Sequence, residues 1–326
     1  MNPRERVPLG RTSLTVTRLG LGTAPLAGLF EEVAEAQALE VIGHAWQAGL
    51  RFFDTAPLYG HGLAELRLGR VLQNKPRDEY TLASKVGRLL RADAPPEPGQ
   101  VYRGVPPVNP TFDFSYDGVM RSVEESLERL GLQRIDVLHI HDPDDHYEEA
   151  LNGAYRALDR LRFDGVIRAV GAGMNQAEML TRFAREANFD CFLLAGRYTL
   201  LDQVALKELL PVCLERGIAI IAGGVYNSGI LADPKPGAHY DYRTAPAPLL
   251  ERAQRMRAVC ARHAIPLKAA AVQFPLGHPA VNTVVVGCRS TSQLEESIRM
   301  FETEIPPALW EELKAEGLLP EEVPTP

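Results

Sequence analysis

Short apolar runs that alternate with amphipathic stretches constrain this chain more than anything else in it. The runs are "RLGLGT", "LRFFDT", "YTLASKV", "IDVLHIH", "IRAVGAG", "FDCFLLAG", "AIIAGG" and "VNTVVVG". Each is bounded by Gly or polar residues, the pattern of a strand buried on both faces. Between them, "EEVAEAQALEVIGHAWQAG" places Val33, Ala36, Leu39 and Ala45 near helical spacing, with Gly49 as its stop. "YDGVMRSVEESLERLG", "YEEALNGAYRALDRLRFDG", "QAEMLTRFAREA", "VALKELLPVCLERG", "APLLERAQRMRAVCARH" and "STSQLEESIRMF" read as helices in the same way. Strands alternating with helices predict parallel βα units. Eight of them in 326 residues predict a closed (β/α)8 TIM barrel, with residues 1–326 forming a single domain. The leading "VPLGRTSLTVTRLG" predicts a hairpin across the barrel bottom. The rival is an open doubly wound sheet, which needs G-x-G-x-x-G after a strand. "GAGMNQ" supplies Gly171 and Gly173 but has Gln176 in the third place.

Two connections, residues 87–114 and 229–247, are rich in proline or polar residues and lack periodicity. Both follow strands, so in a barrel both lie on the catalytic face, as lids or as structureless loops. Their rings, Tyr102, Phe112, Phe114, Tyr240 and Tyr242, are candidates for a pocket wall or for packing within the loops.

Composition narrows the partners. A net charge of −7 without a basic cluster argues against nucleic acid. No apolar run reaches the roughly 18 residues of a membrane span, and "MNPRERVPLGRTSLTV" lacks the apolar core of a signal peptide. Cys191, Cys213, Cys260 and Cys288 form no C-x-x-C pair, which fits a reducing cytoplasm.

Titratable residues gather at three successive strand ends. Asp54 closes the second run and Tyr59 follows it; Lys85 ends the third, and His141 the fourth. Any one of them alone reads as a cap, a packing residue or a core histidine, and His139 shares a face with His141 by period two. Together they make a coherent acid–base set. A free phenol titrates near ~10. An ammonium beside it favours the phenolate, so Lys85 is expected to lower the Tyr59 pKa, with Asp54 holding Lys85 and His141 bonding a substrate oxygen or the phenol.

"FFDTAPLYG", "ASKVG", "GVMRSVEESLERLGLQRIDVLHIHDPD", "GAGMNQ" and "VVVGCRSTSQLEES" resemble the aldo-keto reductases over nearly the whole chain. "FDFSYDGVMRSVEESLERLG", "IHDPDDH" and "LLAGRYTLLDQ" resemble most closely the branch that oxidises D-threo-aldoses, L-fucose or L-galactose at C1. The resemblance implies a barrel that binds NAD or NADP without a Rossmann domain. It implies Tyr59 as general acid–base, supported by Asp54, Lys85 and His141. For the cofactor it implies Thr23 and Asp54 near the nicotinamide ribose and Asn175, after Met174, at the carboxamide. Ser228 and Gly229 would lie along the pyrophosphate, and Gly287, Arg289, Gln293 and Ser297 at the adenosine. Two family contacts do not transfer: Gly223 stands where many members stack a tyrosine, and Ala195 where many have glutamine. Gly287 and Gln293 also stand where many members carry cations for the NADP 2′-phosphate. Arg289 is then the basic residue of that segment, and dual use of NAD and NADP is expected.

Four function classes follow. An NAD(P)-dependent oxidoreductase that takes an aldose at C1 to the aldonolactone leads, with reduction of aldehydes or ketones, pyridoxal-type substrates included, as its alternative. A metal-dependent barrel hydrolase would use His139, His141, Asp142, Asp145 and His146 of "HIHDPDDH". A Schiff-base aldolase would use Lys85, and a regulatory subunit would keep the cofactor site without turnover. No metal is expected. The sequence leaves the substrate, the direction and the oligomeric state open.

Overall fold

A computed structural model describes residues 1–96 and 99–326. Eight parallel strands close into a barrel. They are β1 (Leu19–Gly22), β2 (Phe52–Asp54), β3 (Thr81–Val86), β4 (Val137–His141), β5 (Ala169–Met174), β6 (Cys191–Ala195), β7 (Ala219–Gly223) and β8 (Val281–Gly287). Ladders run in chain order and β8 returns to β1, with Val284 opposite Leu19 and Gly287 opposite Gly22. The open-sheet alternative is thereby excluded.

Period two sorts the side chains into two cores. Phe53, Leu82, Leu138, Val170, Phe192, Ile220 and Val284 pack outward against the helices. Phe52, Ala83, Val137, Ala169, Cys191, Ala219, Ile221 and Val285 pack inside the barrel. The expected hairpin forms from Arg6–Pro8 and Thr15–Thr17. Its Val7, Leu9, Leu14 and Val16 join the inner core, each side chain contributing about 1.5–3 kcal/mol by leaving water. The N-terminal end is sealed by these apolar groups and by Thr81 and Thr283, whose hydroxyls donate to the Thr15 and Thr17 carbonyls of the hairpin, so the inward Asp54, Lys85 and His141 lie toward the C-terminal end.

The helical runs read from the sequence are present, but three further helices are not apparent in the pattern: Leu63–Leu72, Leu267–Gln273 and Pro307–Ala315. The first hides behind Gly69, a poor helix former. A Cβ there would lie 2.0 Å from the Leu130 carbonyl oxygen, so tertiary close approach dictates the glycine. The helix expected over 147–165 contains a π-turn at Ala150–Ala154.

Of the two alternatives for the long connections, lids or structureless loops, the second falls, because each holds a short antiparallel pair. Arg88–Arg91 pairs antiparallel with Asn109–Phe112, and His239–Tyr240 with Arg243–Thr244. These strands are too short to show a period, and Pro110 is tolerated because a two-stranded hairpin has free edges. Glu97 and Pro98 of the first connection lie outside the described residues. No described helix is long and apolar enough to cross a membrane.

Candidate active site

Register assembles the expected residues. Asp54 stands between Gly22 and Ala83, Lys85 opposite His139, and His141 opposite Gly173. All point inward at the C-terminal end of the barrel. The Lys85 Nζ donates to Asp54 Oδ1 at 2.7 Å, to Asp54 Oδ2 at 2.9 Å and to the Thr55 carbonyl at 2.9 Å. The three ammonium donors are thus matched by three acceptors. Lys85 is 1% exposed and Asp54 3%. A pair this deep persists because each charge satisfies the other. Burial raises the Asp54 pKa, and Lys85 opposes that shift.

Tyr59 sits half-buried above this pair. The Lys85 Nζ lies 4.6 Å from its ring centroid, and the His141 ring meets it edge-on at 5.7 Å. The expected lowering of its pKa does not occur. Burial pushes the phenol well above its ordinary value, and the Asp54 charge adds to the rise. The physical reason is that the Lys85 charge is largely balanced by Asp54. The phenol therefore stays protonated, a ready acid and a base only at high pH.

His141 is also buried. Burial, then the Lys85 and Arg88 cations, hold its pKa well below the usual imidazole range. Its Nε2 lies 3.5 Å from Asp142 Oδ2, and Arg88 approaches the same oxygen at 3.8 Å. It can serve a substrate oxygen as a neutral hydrogen-bonding group. His139 is fully buried below, and neither ring nitrogen has a partner among the described residues. Burial drives its pKa down to about 3. The neighbouring strand makes room for the ring with Gly171, where a Cβ would lie 2.2 Å from His139 Nδ1.

A groove of about 500 Å³ leads away from Asp54 and Tyr59. Asn175, Ser228, Gly229, Gly287, Arg289, Gln293 and Ser297 line it as expected. Thr23 and Met174 do not. Thr23 is buried, with N and Oγ1 both donating to the Asp54 carbonyl, and Met174 packs toward the helices. Gly223 and Ala195 line the groove without filling it, and a Cβ at Gly229 would meet open space. The groove therefore suits an extended ligand with a flat ring near Tyr59, which a nicotinamide dinucleotide fits.

Residues 18–316 match the sequence profile of the aldo/keto reductase family. The chain belongs to this family. It is accordingly an NAD(P)-dependent oxidoreductase. Pyridoxal 4-dehydrogenase of Microbacterium luteolum is 43% identical over 97% of this chain and 98% of its own. D-threo-aldose 1-dehydrogenase of a Pseudomonas species is 43% identical over 94% and 96% respectively. The holo form of an aldo-keto reductase from Bacillus halodurans superposes with a TM-score of 0.76 at 24% identity, covering 98% of each chain, a likeness of fold.

The metal-hydrolase and Schiff-base classes find little support in the geometry of this reductase. Among the described residues no group of three or more His, Cys, Asp or Glu could hold a metal; His146 Nδ1 instead contacts Glu149 Oε2 at 2.8 Å. Lys85 is buried and saturated, a poor Schiff-base nucleophile. Sequence reasoning missed several groove residues, among them Phe30, Lys268, Glu296 and Met300. Lys268 and Glu296 lie 28 residues apart and meet through tertiary packing. Only the positive φ of Phe30, 65°, marks it as special, and a sequence does not display that.

Proposed function

We propose that this aldo-keto reductase oxidises an aldose at C1 to the aldonolactone, with residues 1–326 acting as one unit in the cytoplasm. The reading rests on one observation: Tyr59, His141 and the Asp54–Lys85 pair converge where the groove begins. A bound nicotinamide supplies the hydride acceptor for oxidation and the donor for reduction. The chain's own residues handle the proton. Ionised Tyr59 takes the C1 hydroxyl proton as the C1–H bond breaks and C=O forms. His141, held neutral, hydrogen-bonds the sugar oxygen, while Asp54 fixes the Lys85 charge beneath the phenol. The buried, unpaired cysteines fit a reducing compartment, and the net charge of −7 fits a small-molecule partner rather than nucleic acid.

A second reading, reduction or oxidation of an aldehyde such as a pyridoxal-type compound, is favoured by the equal 43% identity to the Microbacterium enzyme. A protonated phenol suits reduction at neutral pH.

NAD and NADP are both expected to serve, with NAD at least competitive. Gly287 and Gln293 carry no charge, and the Arg289 Nη2 donates to the Leu29 carbonyl at 2.8 Å, which commits it to the loop after β1. A several-fold greater loss of NADP than of NAD in Arg289→Ala would show that its other donors reach the 2′-phosphate, and equal losses would show that the tether to Leu29 withholds it. The test is a nicotinamide-absorbance screen of aldoses, pyridoxal and simple aldehydes with both cofactors. Aldose turnover is expected. Turnover of pyridoxal-type compounds alone would decide for the second reading, and none with either class would overturn both.

A further inference from the structure

The groove wall carries a pair of opposite charges, Lys268, which lies outside the quoted family motifs, and Glu296, which lies within "VVVGCRSTSQLEES". Among the described lining residues, Arg289 and Lys268 are the cations. Arg289 donates from Nη2 to the Leu29 carbonyl at 2.8 Å, which draws it toward the loop after β1, although its buried Nε has no hydrogen-bond partner among the described residues. The neighbouring polar groups are engaged as well. The Gln293 Oε1 accepts from the Arg289 backbone N–H at 2.8 Å, and the Ser290 and Ser292 hydroxyls bond each other at 2.9 Å. Lys268 differs. It extends from the short helix Leu267–Gln273 and donates to both oxygens of Glu296, at 2.9 and 2.8 Å. The side chains are 30% and 38% exposed. Glu296 lies on the helix Thr291–Glu302, about one turn beyond Gln293 and next to Ser297.

We propose that the Lys268–Glu296 pair sets the choice between NAD and NADP: Lys268 is the cation available to a 2′-phosphate, and Glu296 withholds it. This rests on the groove holding a nicotinamide dinucleotide. A half-exposed ion pair contributes little to stability, so a doubly charged phosphate can compete for the ammonium. While the pair is closed, its charges cancel and neither nucleotide gains. Without Glu296, the ammonium is released and the repelling carboxylate is gone. Without Lys268, the carboxylate stands uncompensated, and the extra charge of NADP suffers most.

Dissociation constants for NAD and NADP, measured by titration calorimetry on the whole protein without substrate, test this. Glu296→Gln should raise the NADP-to-NAD affinity ratio by about tenfold, and Lys268→Met should lower it about fivefold, factors in the range of single charge-assisted contacts. The double variant should lose the gain of Glu296→Gln. NAD affinity of each variant reports whether its groove is intact. Adenosine 2′,5′-bisphosphate against 5′-AMP should repeat the order. Any other pattern in nucleotide-binding protein, ratios within about twofold of wild type included, overturns this proposal alone. Wild-type protein that binds neither nucleotide overturns the reading of the groove and this proposal with it.

Discussion

The two sides of the barrel rim are built on opposite principles. On β2 to β4 the inward positions beyond Phe52, Ala83 and Val137, toward the C-terminal end, are Asp54, Lys85, His139 and His141, all buried and titratable. On β6 and β7 they are Leu193, Ala195, Ile221 and Gly223, small or apolar. The first side crowds charge until each group is fixed by its neighbours. The second leaves space beside it. Acid–base chemistry needs shifted proton affinities, which crowding and burial supply. A flat ring needs room, which alanine and glycine supply. A change on the first side should therefore alter chemistry or stability, and a change on the second should alter binding.

The sharpest break of this contrast is Tyr59→Phe, which keeps the ring and removes the proton. Turnover should fall by roughly 10²–10⁴ with nucleotide affinity nearly unchanged. Retention of more than about a tenth of wild-type kcat would take Tyr59 out of the acid–base role.

Lys85→Met should act on both chemistry and stability. Asp54 would be left buried without its partner, a loss of about 3–5 kcal/mol in denaturant melts. Adding Asp54→Asn should restore much of it. Loss of the ammonium also disfavours the phenolate, so the basic limb of oxidation should move to still higher pH in any residual activity. A limb that stays or drops would show that Lys85 does not act on Tyr59.

Gly223→Leu probes the roomy side. A Cβ there approaches Leu193 Cδ2 at 3.2 Å, tight but against a mobile methyl group, and the rest of the side chain enters the groove. Both nucleotides should bind about tenfold more weakly, or 1.4 kcal/mol, with the melting temperature close to wild type. Unchanged affinity would mean that this side does not receive the ring.

The gentlest test is His139→Asn. The pKa of about 3 in the folded chain lies below the ordinary 6.5. Between those values the unfolded imidazole binds a proton that the folded one refuses, so stability is lost as pH falls below 6.5. The slope is about 1.4 kcal/mol per pH unit for one proton. His141 contributes with the same sign, so the variant should lose about one proton's worth of that slope in melts at pH 7 and 5. An unaltered slope would show that His139 is not held neutral.

The barrel was legible because its signal is repeated. Eight runs closing on Gly or polar residues leave few alternatives, and Asp54, Lys85 and His141 fall at the ends of consecutive strands, where parallel topology makes sequence order spatial order. Tyr59 was legible for the same reason. Thr23 and Met174 were placed by motif, but a motif fixes position along a strand end and not the direction of a side chain. Met174, at the last place on β5, alternates outward. Leu63–Leu72 escaped notice because its glycine obeys a packing contact with Leu130 rather than a local preference.

By itself, the sequence determined the strand count, the parallel order, the hairpin that seals the base and the set of chemical groups at the rim, all properties of period and order. Only the tertiary structure decided how those groups share charge. Lys85 was expected to lower the pKa of Tyr59, yet its donors meet Asp54 and Thr55, and burial raises the phenol instead. Lys268 likewise lies far from Glu296 along the chain and meets it in the groove wall. Proton affinity and ion pairing depend on distance and on exclusion of water, and neither quantity exists until the chain has folded.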